Sequence, residues 1–384
     1  MASFSPDIAR PELTLADKIR AIQWGLVLLI AALSGIGFAM LYSAANGNLQ
    51  PWASRQMTRF AIALVPMIAV GLIDVRYWFR SAYWIYGGSL LLIIAVDLLG
   101  TAGLGAQRWV DLGFIQLQPS EIMKIALVLA LARYFHSLSA EDAGRLGRLV
   151  VPALMVVVPA ALVLKQPDLG TAMMLLASGA VLFYLGGVRL WVFAAGTLAT
   201  AAAAPLAWFM LRDYQRTRLS TFLDPDRDPL GAGYHILQSK IALGSGGVFG
   251  KGFLLGTQSH LSFLPEKQTD FIFTMLAEEF GLVGGLTLLT LYVLVISYAF
   301  AIALRSRSQF GRLLGLGIAV TFFLYAFINT AMVMGVIPVV GVPLPLISYG
   351  GSAMLTVMFG FGLVMNIGIH RDVRISPLGE SRLG

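Results

Sequence analysis

The chain has 384 residues, of which 58% are hydrophobic and only 12% are charged, and its mean hydropathy is +0.79. This composition excludes a soluble domain and predicts an integral membrane protein. The absence of cysteine excludes disulfides, thiolate metal sites and a cysteine nucleophile. The net charge of +7 does not indicate nucleic-acid binding, because the basic residues are scattered between apolar runs instead of forming a patch with interleaved aromatic side chains.

Ten apolar segments are long enough to cross a bilayer, for which a helix needs about 20 residues. The first of them is too long for the apolar core of a cleaved signal peptide, although Lys18 and Arg20 precede it. The sequence therefore predicts an all-α, polytopic fold with about ten transmembrane helices. The predicted spans are residues 22–44, 59–74, 82–99, 120–136, 149–164, 169–186, 189–211, 271–303, 312–334 and 347–369.

The basic residues between these spans indicate their orientation. Connections on the side of the termini carry Arg76, Arg80, Arg133, Arg145, Arg148, Arg189, Arg305, Arg307 and Arg312, whereas the short opposite connections carry Arg55, Arg59, Arg108 and Lys165. By the positive-inside rule both termini are cytoplasmic and the long loop at 212–270 is extracytoplasmic. We divide the chain into an N-terminal tail (1–21), a transmembrane domain (22–370) and a C-terminal tail (371–384).

The loop at 212–270 is the only long polar segment between spans, and it closes on LPEKQTD at 264–270. Glycine-rich stretches alternate in it with helix-capable segments, so we expect a compact, partly helical loop. Asp270 lies where the loop returns to apolar sequence, and a charge at the mouth of a span requires a reason. Two interpretations are open: a functional carboxylate, or an acid that stabilises the N-terminus of the next helix.

The stretch GAQRWVDLGFIQLQPSEIMK at 105–124 predicts a helix start at Pro119 and Ser120. Glu121 falls in the first turn, and Lys124 follows on the same side, so the two side chains can pair. From Ser120 to Arg133 the helix is about 21 Å long, which is too short to cross the bilayer comfortably. The pair is interpreted either as a local ion pair on a capped helix or as part of a polar recess, because an ammonium among apolar residues needs a partner or a substrate.

The cations on the predicted outer side would suit a phosphate or pyrophosphate group. Lys165 belongs to them by its position in LKQPDLGTA (164–172), which is interpreted as an ordinary corner between two spans in which Asp168 or Thr171 caps the second helix. The full set is Arg108, Lys124, Lys165, Arg218, Lys240 and Lys267.

Two further polar groups lie in apolar sequence. In PLPLISYGGSAM (343–354), two prolines break the chain and Ser348 opens the tenth span, while the paired glycines favour close backbone packing. Glu278 and Glu279 lie about two helical turns below Asp270, and we expect them to pair within the bundle. The four histidines show no metal-ligand spacing.

These motifs together resemble the SEDS family of shape, elongation, division and sporulation proteins, whose members include RodA, FtsW and SpoVE. The resemblance covers nearly the whole chain, and its motifs occur in the order of the family. They are GAQRW, QPSE with Lys124, KQPDLGTA, STFLDP (220–225), GVFGKG (248–253), LPEKQTDFIF and PLISYGG.

The resemblance implies a peptidoglycan glycosyltransferase of the cytoplasmic (inner) membrane, which polymerises lipid II on the outer side with a class B penicillin-binding protein, among other proteins of the cell-elongation complex. It implies that Asp270 is the catalytic base and that Glu121 and Lys124 lie in the same cavity. The outer cations and Ser348 would bind the substrate, with Mg²⁺ as a candidate cofactor and no organic one. The product linkage implies inversion at the muramyl anomeric carbon, and the pyrophosphate leaving group needs cations more than a general acid.

Two other classes of function remain open. The ten spans could form a path that flips lipid II, and the chain could be a non-catalytic scaffold that does not need Asp270. The clustering of charges on one face favours the enzyme, although Glu278 and Glu279 keep transport open. The enzyme hypothesis predicts that the fourth and eighth spans converge at their outer ends, bringing Lys124 near Asp270. It also predicts that a partner binds at the membrane and stabilises an active loop conformation.

Overall fold

A computed structural model describes residues 14–99, 101–103, 106–111, 116–139, 142–210, 213–224, 232–260 and 266–376. This part of the chain forms a bundle of long helices, which confirms the predicted polytopic all-α architecture. The distal parts of both predicted tails lie outside the described residues. We call the end of the bundle that carries the 212–270 loop the loop end.

The helices follow the predicted apolar segments, although α3 begins at Ala53 instead of residue 59 and α4 at Val75 instead of residue 82. In chain order they are α1 (Leu15–Arg20), α2 (Trp24–Ala44), α3 (Ala53–Leu72), α4 (Val75–Leu99), α5 (Pro119–His136), α6 (Leu146–Lys165), α7 (Leu169–Leu185), α8 (Leu190–Met210), α9 (Asp213–Leu223), α10 (Ala232–Ser245), α11 (Thr257–His260), α12 (Ile272–Leu304), α13 (Gln309–Val333) and α14 (Gly351–Ile369). A short 3₁₀ helix at Asp142–Gly144 precedes α6.

Seven helices of the described chain are long and apolar enough to cross a membrane: α2, α3, α4, α6, α12, α13 and α14. The other three predicted spans coincide with α5, which carries three charged residues, with α7, and with α8, whose apolar part is Leu190–Ala203. The count of ten stays a prediction. Helices α5, α13 and α14 form the centre of the bundle, because most of their side chains are buried. The predicted partly helical loop contains α9, α10 and α11.

A small antiparallel sheet, which the sequence did not predict, precedes α5. It consists of β1 (Thr101–Gly103), β2 (Ala106–Asp111) and β3 (Gln116–Leu117), with Thr101 opposite Trp109 and Val110 opposite Leu117. The strands are too short to give a clear alternation of apolar and polar residues. The sheet places Arg108 beside the α6–α7 corner and leads directly into the first turn of α5.

Helix α12 is not a single straight span, although its sequence is one apolar run. Gly281 has φ 65° and ψ −159°, which no helical residue adopts, and a Cβ there would lie 2.4 Å from the amide nitrogen of Gly250. Residues 271–279 before this point are all buried. The ring of Phe273 lies close to Gly285, so the first segment is bent sharply against the second. We call this feature the α12 break.

The loop at 246–252 supplies hydrogen-bond partners for the main chain at the α12 break. Four main-chain hydrogen bonds connect them: Lys251 N to Glu278 O (3.0 Å), Gly252 N to Glu279 O (3.0 Å), Leu282 N to Gly247 O (2.9 Å) and Val283 N to Val248 O (3.1 Å). Helix ends leave such groups without partners, and burying them unpaired is costly. Glycines 246 and 250 permit the approach, since a Cβ at either would lie 2.1 Å from an α12 carbonyl oxygen.

Candidate active site

Glu121 and Lys124 form a buried ion pair at the loop end of α5. Lys124 Nζ lies 2.6 Å from Glu121 Oε1, and their side chains are 1% and 4% exposed. Tyr325 of α13 donates its hydroxyl to the other carboxylate oxygen, and Lys124 Nζ lies 4.2 Å from the centre of the Tyr325 ring. A cavity of about 10 Å³, room for roughly one water molecule, adjoins the lysine. The predicted pairing is confirmed, and α13 supplies a third member of the group.

Asp270 lies in the turn that precedes α12, and its side chain is partly exposed. Phe271 occupies the N-cap position, and its side chain makes no capping hydrogen bond. Asp270 precedes it directly, where an acid also stabilises a helix N-terminus by its charge, so both interpretations of Asp270 stay open. A Cβ on Gly341, which has a positive φ of 71°, would lie 3.4 Å from Asp270 Oδ2. The backbone of this glycine thus forms one wall beside the carboxylate.

Asp270 and the Glu121–Lys124 pair are attached to the same side of α13. Asn329 donates from Nδ2 to the carbonyl oxygen of Asp270 (2.9 Å), and Tyr325, which binds Glu121, precedes Asn329 by one helical turn. Residues four apart on a helix lie on one face. Helices α5 and α12, the fourth and eighth predicted spans, thus both attach to α13 one turn apart. The approach of Lys124 to Asp270 stays a prediction.

The chain between α13 and α14 is irregular, and Val340, Val342 and residues 344–348 in it are buried. Irregular backbone at membrane depth is tolerated where protein groups satisfy it. Here the carbonyl oxygens of Val342, Pro345 and Ser348 accept from Asn329 Nδ2 (2.7 Å), Tyr292 Oη (2.5 Å) and Gln56 Nε2 (2.9 Å). This segment, 334–350, is thereby fixed against α3, α12 and α13.

The predicted cations do not all occupy one place. Arg108 donates to the carbonyls of Gln166 (2.8 Å) and Pro167 (2.5 Å), which ties the sheet to the α6–α7 corner. Asp168 caps α7 by accepting from Thr171 N at 3.0 Å, as the sequence predicted. Lys165 pairs with Asp97 at 2.5 Å and is 62% exposed.

The loop carries the remaining predicted cations. Lys240 is exposed on α10 and its side chain lies over Gly335, at the loop end of α13. Lys267 is half-buried in the Asp270 turn, where burial lowers the pKa of its ammonium. Arg218 falls within α9, but its side chain lies outside the described residues.

The predicted pairing of Glu278 and Glu279 within the bundle is confirmed at the α12 break. Lys251 Nζ lies 2.7 Å from Glu278 Oε1, which also accepts from Thr257 Oγ1 (3.1 Å) and the amide of Gln258 (3.0 Å). Ser43 of α2 donates its hydroxyl to Glu279. Both acids therefore hold the 246–260 region and α2 against α12.

The sequence analysis missed three polar residues of the site: Gln56, Tyr325 and Asn329. Gln56 and Asn329 are completely buried, and Tyr325 is 2% exposed. An amide inside an apolar helix signals a buried hydrogen-bond partner, because an unpaired polar group in a membrane is costly. Asn329, in the middle of FINTAM, carried this signal.

The fold and the site define a class of protein: a polytopic membrane protein in which a partly exposed acidic residue and a buried lysine–glutamate pair are attached to one face of a central helix, at one end of the bundle. Within that class, the chain belongs to the FtsW/RodA/SpoVE family, whose model, described as "Cell cycle protein", matches residues 22–373.

Curated relatives and solved structures agree with this assignment. The chain is 45% identical to the peptidoglycan glycosyltransferase MrdB of Escherichia coli K12, over 94% of this chain and 96% of the relative. It is 32% identical to the peptidoglycan glycosyltransferase RodA of Treponema pallidum, over 89% and 96% of the two chains.

Two solved structures match the fold. One is a chain from a peptidoglycan synthase complex (TM-score 0.79, 34% identity, 91% of this chain and 98% of that chain). The other is the rod-shape-determining protein RodA of Thermus thermophilus (TM-score 0.69, 31% identity, 91% and 97%).

Proposed function

We propose that this protein is a peptidoglycan glycosyltransferase that polymerises lipid II on the extracytoplasmic side of the cytoplasmic membrane. The observation that carries the proposal is the attachment of Asp270 and the Glu121–Lys124 pair to one face of α13, with the carboxylate of Asp270 partly exposed. A carboxylate at the loop end can serve a substrate whose head group projects from the outer leaflet. Both termini are then cytoplasmic, as the positive-inside rule predicts.

In the proposed reaction, Asp270 takes the proton from the acceptor sugar hydroxyl as its oxygen attacks the anomeric carbon of the donor muramyl residue. The bond from that carbon to the pyrophosphate oxygen breaks, and the polyprenyl pyrophosphate leaves with the bonding electrons. One displacement inverts the configuration, so a single base suffices, whereas hydrolysis of a glycoside requires two carboxyl groups.

Cations stabilise the charge that develops on the leaving pyrophosphate. In the described loop Lys267 is partly exposed and Lys240 is exposed, whereas the partly exposed Lys251 is paired with Glu278, so Lys267 and Lys240 are suited to this role. Lys124 is almost completely buried by Glu121 and Tyr325, so direct contact with a substrate requires this group to open.

Magnesium is a proposed, untested cofactor. Among the described residues there is no group of three or more His, Cys, Asp or Glu side chains that could hold a metal. Mg²⁺ is usually held by one or two carboxylates together with substrate phosphates, so Asp270 and the pyrophosphate would fit it. The ion would neutralise charge on the leaving group.

The partner proposed for this activity is a class B penicillin-binding protein. Support comes from the match to a chain of a peptidoglycan synthase complex. The transport alternative is weakened, because the two acids that motivated it, Glu278 and Glu279, are engaged by Lys251 and Ser43 at the α12 break.

Asp270→Asn tests the proposal. The purified protein with its penicillin-binding partner is given lipid II in the presence of penicillin, so that glycan polymerisation is measured without crosslinking. We expect the rate to fall by about 10² to 10⁴, the usual contribution of a general base, with little change in lipid II binding.

The matched control is Glu266→Gln, which removes a negative charge from an exposed position in the same turn and leaves an acceptor for Thr269. Its rate should remain near that of the wild type. Normal polymerisation by a folded Asp270→Asn protein would overturn the catalytic assignment. Lipid II flipping by a protein that makes no polymer would favour the transport alternative.

A further inference from the structure

Three consecutive carbonyl oxygens of the Asp270 turn are held from one side. Gln268 O accepts from the amide of Tyr349 (2.8 Å), Thr269 O from Ser348 Oγ (2.5 Å) and Asp270 O from Asn329 Nδ2 (2.9 Å). All three donors belong to α13 or to segment 334–350. We call this set of hydrogen bonds the Asp270 clamp.

The donors of the clamp are themselves fixed. Asn329 is completely buried, and its Nδ2 also donates to Val342 O at 2.7 Å. Both protons of the amide therefore have acceptors, which determines the orientation of the side chain, while Oδ1 has no hydrogen-bond partner among the described residues. Ser348 is 4% exposed, and its Oγ accepts from Leu344 N at 2.8 Å.

The clamp extends to a third helix. Gln56 of α3 is completely buried and donates to Ser348 O at 2.9 Å, so it fixes the residue that holds Thr269. The Asp270 turn is thus connected to α3, α13 and the start of α14. These are elements of the bundle, whereas the turn itself ends the long loop. The hydrogen bonds therefore position Asp270, a loop residue, as precisely as a residue on a helix of the bundle.

We infer that Asn329 and Ser348 are positioning residues that hold the Asp270 carboxylate in its reactive place by fixing the backbone beneath it. The inference rests on the proposed function, in which Asp270 is the base. Proton transfer requires heavy-atom distances of about 2.6–3.2 Å, and a misplacement of 1 Å can lower a rate about 10²-fold. The clamp acts on the main chain, so its donors do not occupy the carboxylate.

Asn329 has a second consequence for the geometry of the site. It lies one turn from Tyr325 on α13, and Tyr325 binds Glu121. The same helix face therefore sets the separation between Asp270 and the Glu121–Lys124 pair.

Asn329→Ala and Ser348→Ala test the clamp in the complex with the penicillin-binding partner. For each variant we expect the kcat of glycan polymerisation to fall about 10- to 100-fold, with lipid II KM changed less than about 3-fold. Ser348→Thr keeps the hydroxyl and should recover most of the kcat lost in Ser348→Ala.

Asn366→Ala is the matched structural control. Asn366 is 1% exposed and donates to the carbonyls of Val70 and Gly71 (both 3.1 Å), so it satisfies the backbone at the end of α3 as Asn329 does at the Asp270 turn. It should lower the unfolding temperature in detergent about as much as Asn329→Ala does, while the kcat of the folded protein stays near that of the wild type.

A double-mutant cycle separates positioning from a general structural effect. Asp270→Glu keeps the carboxylate but displaces it by one methylene, so correct placement is already lost. Adding Asn329→Ala to this background should lower the kcat less than about 3-fold further, because a positioning residue acts through Asp270.

Three results would overturn the inference: unchanged kcat in Asn329→Ala, an equal loss in Asn366→Ala, or a full additional loss in the Asp270→Glu background. Normal polymerisation by Asp270→Asn would instead contradict the proposed function itself. The experiments therefore distinguish an error in the clamp from an error in the proposed function.

Discussion

Two lysine–carboxylate pairs at the loop end have nearly the same geometry and opposite surroundings. Lys124 lies 2.6 Å from Glu121, and Lys165 lies 2.5 Å from Asp97. The first two side chains are 1% and 4% exposed, whereas the second two are 62% and 29% exposed. Removing one partner of a buried pair costs about 3–5 kcal/mol, but an exposed pair contributes about 0–1 kcal/mol. Burial, and not distance, therefore determines how much each pair affects the free energy of unfolding.

A third pair lies between these extremes. Lys251 is 27% exposed, and its partner Glu278 is completely buried at the α12 break, 2.7 Å away. Glu278 has further donors in Thr257 and the Gln258 amide, so it does not depend on the lysine alone. The three pairs form a series in which the energetic effect should follow the burial of the carboxylate and the number of its other partners.

The largest effect in the series is expected for Lys124→Met. Glu121 would keep only its hydrogen bond from Tyr325 in a buried site, so the free energy of unfolding should fall by about 3–5 kcal/mol. Thermal unfolding of the purified protein in detergent measures this change.

The control for that variant is the double substitution Lys124→Met with Glu121→Gln. Replacing both charges by neutral groups of similar volume removes the unpaired charge and should recover most of the stability. If the single variant is as stable as the wild type, the pair is not as isolated from solvent as its burial indicates.

An intermediate effect is expected for Lys251→Met. Glu278 loses its cation but keeps two hydrogen bonds, so the free energy of unfolding should fall by about 1–3 kcal/mol. The change should appear as faster hydrogen exchange in residues 246–252, which the α12 break holds. A loss as large as that of Lys124→Met would contradict the ordering.

The smallest effect is expected for Lys165→Met. The carboxylate of Asp97 is 29% exposed and keeps its contact with water when the ammonium is removed, so the free energy of unfolding should change by less than about 1 kcal/mol. The same difference should shrink further when unfolding is measured at high salt, since screening acts on exposed charges. A larger, salt-independent loss would place this pair with the buried one.

The sequence was sufficient for the spans, because a long apolar run identifies a helix whatever it packs against. The helix start at Pro119, the cap at Asp168 and the pairing of Glu121 with Lys124 were also predictable, since each depends on residues at most a few positions apart. Local spacing could not, however, distinguish buried Lys124 from exposed Lys165. Their difference arises from α13, about two hundred residues away from Glu121 in the sequence.

The α12 break and the Asp270 clamp were not predictable for a related reason. Hydropathy predicts one continuous span over residues 271–303. The break at Gly281 depends on main-chain hydrogen bonds to the 246–252 loop, which the local sequence does not indicate. Gln56 and Asn329 are neutral, so a search for charged constellations passes over them. Their function depends on which distant carbonyl each amide meets, and that is a property of the folded bundle.

The α12 break also determines how this part of the chain can enter the lipid during synthesis. A transmembrane helix needs about 20 residues, so a run of 33 residues can be placed in the bilayer in more than one register, that is, with different residues in the hydrocarbon. Residues 282–304 contain no charge and are long enough to span, at about 34 Å. A register shifted toward 272–280 would carry Glu278 and Glu279 into the hydrocarbon, where an aspartate costs about 3 kcal/mol on insertion scales. This cost favours the register 282–304, and residues 272–279 are instead buried by protein.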